Sequence, residues 1–108
     1  GGVGDWHLEI RDRLRRLHAD ALLALGRSHA AAGRMKEASD AFRTLLGRDP
    51  LHEAACQDLM LSYARSGQRV EAIRLFGTFS VLLREELGVE PDPATTGLYQ
   101  SLLRAEPV

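Results

Sequence analysis

The chain has 108 residues, enough for one domain that buries roughly two thirds of the surface its unfolded form exposes. Hydrophobic residues make up 44% and charged residues 27%, a balance that excludes disordered and collagen-like chains. Lys and Arg number 14 against 15 Asp and Glu, and a net charge of -1 argues against a polyphosphate binder.

The opening Gly1-Gly2-Val3-Gly4, which lacks Met, reads as a disordered leader or scar (1–4) in a piece of a longer protein. One domain over 5–105 and a tail at 106–108 follow. A long first helix is expected near 6–32, with Ile10, Leu14, Leu17, Ala21 and Leu25 on one apolar stripe. Gly33 ends it, in the left-handed conformation that costs glycine least. A second helix follows near 34–47. Asp49-Pro50 reads as an N-cap and first helical proline for a third helix over 50–66, and Gly67 closes that helix. A fourth helix is expected over 68–87, ended by Gly88. Val89-Glu90-Pro91-Asp92-Pro93 is a stiff link in which Asp92-Pro93 repeats the capping device. A fifth helix spans about 93–105. No window alternates with period 2, so the fold class is all-α with about five helices.

An internal repeat organises these helices. Gly33 and Gly67, Ala38 and Ala72, and Phe42 and Phe76 each lie 34 residues apart. His29 likewise matches Tyr63, Leu25 matches Leu59, and AGRMKEASDAF reappears as SGQRVEAIRLF. That period belongs to tetratricopeptide (TPR) helical hairpins, which stack into an α-α superhelix. The structural positions of the pattern fall on Leu25, Gly26, Gly33, Ala38, Phe42, Pro50, Tyr63, Gly67, Ala72 and Phe76. Gly26 and Ala38 are small where paired helices approach, and Phe42 and Phe76 fill space between hairpins. Two hairpins alone leave apolar end faces. The extension of helix 1, with Trp6 packed nearby, and helix 5 (Leu98, Tyr99, Leu102, Leu103) are expected to cap both ends.

Little in the chain suggests chemistry. His7, His18, His29 and His52 lack the short spacing of zinc ligands, so neither metal nor cofactor is expected. Cys56 lies on the inner stripe of helix 3 with Leu59, Met60 and Tyr63, where a thiol is inert packing. No Ser/His/Asp constellation, glycine-rich phosphate loop or opposed carboxylate pair occurs, and no enzyme activity or small-molecule ligand is inferred. A lone Cys suits a reducing compartment, and no apolar run reaches the ~18 residues of a membrane span, so a cytoplasmic protein is expected.

Residues 1–48 carry nine Lys and Arg against six Asp and Glu, whereas residues 49–108 carry five against nine. The run Arg11, Arg13, Arg15, Arg16 is interleaved with Glu9, Asp12 and Asp20, so it reads as a solvated face rather than a phosphate track. The asymmetry fits docking against an acidic neighbour. TPR geometry would turn Asp20, Leu23, Arg27 and Ala30, with Ala54, Gln57, Leu61 and Arg65, into a partner-binding groove. An equally weighted reading covers Leu23 and Leu61 with the terminal helices.

A more specific likeness lies in Leu82-Leu83-Arg84-Glu85-Glu86-Leu87-Gly88-Val89-Glu90-Pro91-Asp92-Pro93 and the following Leu98-Tyr99-x2-Leu102-Leu103. Residues 13–22, Asp49-Pro50-Leu51-His52-Glu53 and Leu61-x-Tyr63-Ala64-Arg65-Ser66-Gly67-Gln68 extend it over about 5–105. These motifs resemble the bacterial transcriptional activator domain of the Streptomyces antibiotic regulatory protein family. The resemblance implies a non-catalytic module C-terminal to a winged-helix DNA-binding domain, acting in oligomerisation, interdomain contact and transcription activation. Its partners would be that domain, a second copy or the transcription machinery, with DNA bound only outside this chain. One departure is Gly77-Thr78, which weakens helix 4 or admits another backbone. The alternative is a TPR adaptor, stand-alone or multidomain, that binds a protein or peptide and has no DNA-binding role; a small nucleic-acid-binding protein is a third reading.

Overall fold

The computed structural model describes residues 3–105 and contains five helices: α1 Val3–Ala31, α2 Met35–Arg48, α3 Glu53–Arg65, α4 Arg69–Leu87 and α5 Pro93–Leu103. There is no strand among the described residues. Residues 1, 2 and 106–108 of the expected leader and tail lie outside the described residues, and α1 already includes Val3 and Gly4. Successive helices pack as neighbours, α1 also touches α3, and α5 lies on both α3 and α4. This is the stacking order of TPR hairpins.

Both hairpins turn by the same device. Gly33 and Gly67 have φ values of 80° and 78°, which a side chain would strain. Arg34 N donates to His29 O while Gly33 N donates to Ala30 O; Gln68 N to Tyr63 O and Gly67 N to Ala64 O repeat the pair. These are two Schellman closures 34 residues apart, and they satisfy carbonyls that a helix end leaves orphaned.

Helix α3 starts differently from its sequence expectation. Asp49 is the C-cap of α2, and His52 N donates to Asp49 O across a tight turn containing an exposed Pro50. The N-cap of α3 is His52, whose Nδ1 accepts from Ala55 N. Pro50 therefore shapes the turn, where its fixed φ is favourable, and does not open the helix. At α5, Asp92 takes the N-cap position and Pro93 the first turn as expected, but the Asp92 side chain makes no capping hydrogen bond.

The core has two adjoining parts. Ala38, Phe42 and Leu59 form one, with Leu23, Ala30 and Tyr63 packed on it. Phe42 is 1% exposed and lies directly over Gly26, where an added methyl would overlap its ring. Cys56, Met60, Ala72, Phe79, Leu83 and Leu102 form the other, joined by Tyr63, Phe76, Leu98 and Tyr99. Phe76 stacks on Tyr99, with ring centroids 4.0 Å apart and planes 9° from parallel. Burial pushes the Cys56 thiol up to about 12, as expected for inert packing. Helix α4 runs unbroken through Gly77-Thr78, and nothing approaches within 4 Å of where a Gly77 side chain would stand. No close backbone explains that glycine.

The N-terminal end is not capped. Helix α1 has 29 residues against 14 in α2, so its first half projects past the bundle, and the molecule with this arm measures 53 × 34 × 17 Å. Leu14 is 60% exposed, Leu17 58%, Leu25 49% and Trp6 59%; Trp6 meets only the edge of the His7 ring among aromatic neighbours. Leu25 is thus no core residue, although the repeat places it opposite the buried Leu59. The residues of α1 that face the bundle are Ala19, Leu22, Leu23, Gly26 and Ala30. At 100° per residue these lie on the side of the helix opposite the Ile10–Leu25 stripe.

Two outcomes follow from the packing. Gly26→Ala should destabilise the chain by about 1–3 kcal/mol and Phe42→Ala by about 3–5 kcal/mol in denaturant melts. The double variant should cost clearly less than their sum, because removing the ring opens space for the methyl; strict additivity would mean the two do not touch. Second, Cys56 should resist thiol reagents at pH 8 in the folded chain. Its labelling rate should rise only as denaturant unfolds the domain.

Candidate protein-contact surfaces

The eight residues expected to line a TPR groove do not all stay open: Ala30 packs on the Phe42 cluster and Ala54 is half-buried. Leu23 is half-buried against the Phe42 cluster. Arg27 Nε donates to Asp58 Oδ2 at 2.7 Å, tying α1 to α3 across the groove floor. Gln57 Nε2 donates to Thr95 Oγ1 at 2.7 Å, and Thr95 is fully buried. Leu61 is half-buried, while Arg65 is exposed and its side chain makes no bond to another described residue. Asp20 lies elsewhere, beside Arg16 and Arg48 under α1.

Helix α5 causes much of this. It lies where the first helix of a third repeat would stack, and a polar clasp holds it there. Glu53 Oε2 accepts from Asp92 N at 2.7 Å and from Thr95 Oγ1 at 2.5 Å. Arg69 donates to Leu102 O at 2.8 Å from the other end. In the link before it, Arg84 reaches Glu90 through two nitrogens at 3.2 and 3.3 Å, which holds the exposed guanidinium firmly charged. Sequence reasoning missed Glu53 and Thr95; their only signal was polar character on faces that α5 covers.

Two histidines have structural work. His29 Nδ1 accepts from Arg34 Nε at 2.9 Å beside the first hairpin turn, and His52 caps α3. Arg43 donates to the Tyr63 hydroxyl at 3.1 Å and pairs with Asp40; the Tyr63 bond is the main reason its charge is held more firmly than usual. No group of three or more His, Cys, Asp or Glu is placed to hold a metal ion among the described residues. Among the described residues, no helix is long and apolar enough to cross a membrane.

Among the described residues, α1 presents two open surfaces. One is its outer face, the uncovered stripe Leu14, Leu17, Ala21 and Leu25. No other described helix covers this stripe. The other lies under and beside the arm. A cavity of about 650 Å³ is bounded by Arg15, Arg16, Asp20, Arg48, Asp49 and His52. A shallower one of about 520 Å³ adjoins it along the flank of α1.

Comparison with known proteins accounts for this architecture. The family model "Bacterial transcriptional activator domain" matches residues 1–103. Regulatory protein AfsR of Streptomyces coelicolor is 30% identical over 105 residues, covering 97% of this chain and 10% of AfsR. Regulatory protein DnrI of Streptomyces peucetius is 36% identical over 85 residues, or 79% of this chain and 29% of DnrI. Transcriptional regulatory protein MoaR1 of Mycobacterium bovis is 33% identical over 97 residues, or 87% of this chain and 31% of MoaR1. The chain thus spans between a tenth and a third of these curated relatives. Among solved structures, Mycobacterium tuberculosis EmbR in complex with low affinity phosphopeptide shares the fold, with a TM-score of 0.73 at 22% identity over 94% of this chain and 26% of that one. On the family match and the repeat architecture together, the chain belongs to the bacterial transcriptional activator domain family of Streptomyces antibiotic regulatory protein-type regulators.

Proposed function

We propose that this chain is the non-catalytic regulatory module of a cytoplasmic transcriptional activator, placed C-terminal to a winged-helix DNA-binding domain. It acts through protein contact: it positions that domain, pairs subunits and supports activation, while DNA is bound only outside this chain. The uncovered outer stripe of α1 carries the reading, because Leu14, Leu17 and Leu25 are exposed on a well-formed helix that projects past its own bundle. Each leucine left in water forgoes roughly 1.5–3 kcal/mol of burial, which a docked domain would recover. The relatives support the regulatory setting, since AfsR, DnrI and MoaR1 carry regulatory names and are about three to ten times longer than this chain. Leu61 and Arg65 are the part of the expected groove left for a partner, and Asp20 joins the surface under the arm.

The test is Leu17→Asp with Leu25→Asp. The isolated chain should melt within about 0.5 kcal/mol of the parent, since both side chains are already solvated. In the full-length protein, activation of a reporter promoter should fall at least tenfold. Undiminished activation would remove the stripe from the mechanism. A full-length protein that binds no DNA, or that carries a catalytic neighbour instead of a winged helix, would move the function to a TPR adaptor.

A further inference from the structure

The shallower cavity beside α1 has an unusual lining. Arg11 and Arg15 stand one helical turn apart on the flank of α1, and Arg48 at the end of α2 supplies the opposite wall. His7 and His18 complete the polar lining, and no carboxylate contributes to it. Ile10 and Leu14 run beside the arginines at the same one-turn spacing and are both exposed.

These cations are left unspent. Elsewhere on the molecule, Arg27, Arg43, Arg74 and Arg84 pair with Asp58, Asp40, Glu71 and Glu90, and Arg34 and Arg69 donate hydrogen bonds. The arginines whose side chains make no ion pair or hydrogen bond among the described residues are Arg11, Arg13, Arg16, Arg48 and Arg65. Arg11 and Arg48 both line this cavity, and the third arginine there, Arg15, has only a long contact of 3.8 Å to Asp12.

The matched pair of ladders defines the ligand. Two arginines at i and i+4 beside two aliphatic residues at i and i+4 repeat every ~5.4 Å along α1, the rise of one helical turn. A second helix lying alongside would meet them if it carried Glu or Asp on one stripe and Leu or Ile on the next. Arg48 would then close on the same carboxylates from the other wall. We propose that this cleft is a docking site for an acidic amphipathic helix of a partner protein. It rests on the protein-contact reading above and shares Ile10 and Leu14 with the edge of the outer stripe, but it takes the basic flank of α1 and Arg48 and leaves Leu17 and Leu25 free. The pattern favours such a helix over a nucleic acid. Ile10 and Leu14, which an amphipathic helix would cover, would be wasted on a phosphate backbone.

The probe is a fluorescein-labelled 16-residue helix with one leucine stripe flanked by glutamates, titrated against the chain by anisotropy. The same helix with lysine in place of glutamate is the control. The glutamate helix should bind and the lysine helix should not, with binding weakening as salt rises. Arg11→Glu and Arg48→Glu should each weaken binding about tenfold. Because Arg48 ends α2, where a cation favours the helix dipole, Arg48→Gln is measured alongside with its melt. Arg13→Glu and Arg65→Glu, which alter unpaired arginines outside the cleft, should stay within about twofold, as should Leu17→Asp with Leu25→Asp. Equal loss at Arg65 would mean non-specific attraction, and loss in the leucine variant would put the helix on the outer stripe; either overturns the site. So would no binding at millimolar chain, or duplex DNA binding that is lost in Arg11→Glu and Arg48→Glu.

Discussion

The ring of Phe42 lying on the bare backbone of Gly26 sets the spacing on which the other contacts depend. With no side chain on α1 at that point, α2 comes close enough for Phe42 to be enclosed by Leu23, Ala38 and Leu59. Leu59 belongs to α3, so the same ring fixes where the second hairpin sits. Tyr63, one turn further along α3, packs on both parts of the core and continues the contact towards α4 and α5. A methyl at residue 26 would have to displace a ring with no free space around it, because interiors are packed near crystal density.

Unequal helix lengths turn this packing into a functional shape. The Gly33 closure pairs the end of α1 with the start of α2, and α2 runs out after 14 residues. Everything in α1 before about residue 18 therefore has no second helix beneath it. Its apolar stripe faces away from the bundle and its basic flank overhangs Arg48. The two ends of the domain are thus opposites. Helix α5 closes one end with Leu102, Tyr99 and a clasp on Glu53, whereas the arm leaves the other end open for a partner.

The clasp also places α5 against the polar residues that the concave side of the repeats offers. Buried hydroxyl and amide groups need partners, and Thr95 finds two, in Gln57 and Glu53. Once α5 takes them, Glu53 and Gln57 of α3 are spent within the chain. Arg27 and Asp58 are spent on each other. Under the proposed function, partner contact falls to the exposed stripe and basic flank of α1.

The sequence by itself determined the helices, the 34-residue repeat, both glycine closures, the family and the packing roles of Ala38, Phe42, Ala72 and Cys56. These follow from local rules: a glycine free of strain at positive φ, a period of 3.6, and small or aromatic residues at fixed offsets. Boundaries that depend on capping were less legible. Asp49-Pro50 suits a helix start as well as a turn, and His52 became the cap only because the chain needs that turn to bring α3 back onto α2. Only the tertiary structure decided which face of α1 is core. Periodicity shows that Ile10, Leu14, Leu17, Ala21 and Leu25 share a face, but an apolar stripe does not say which neighbour will cover it. Gly26, weak in hydrophobicity, won the interior because the close approach of the Phe42 ring from α2 leaves no room for a side chain there. The leucines were left outside, where burying them takes a second protein surface.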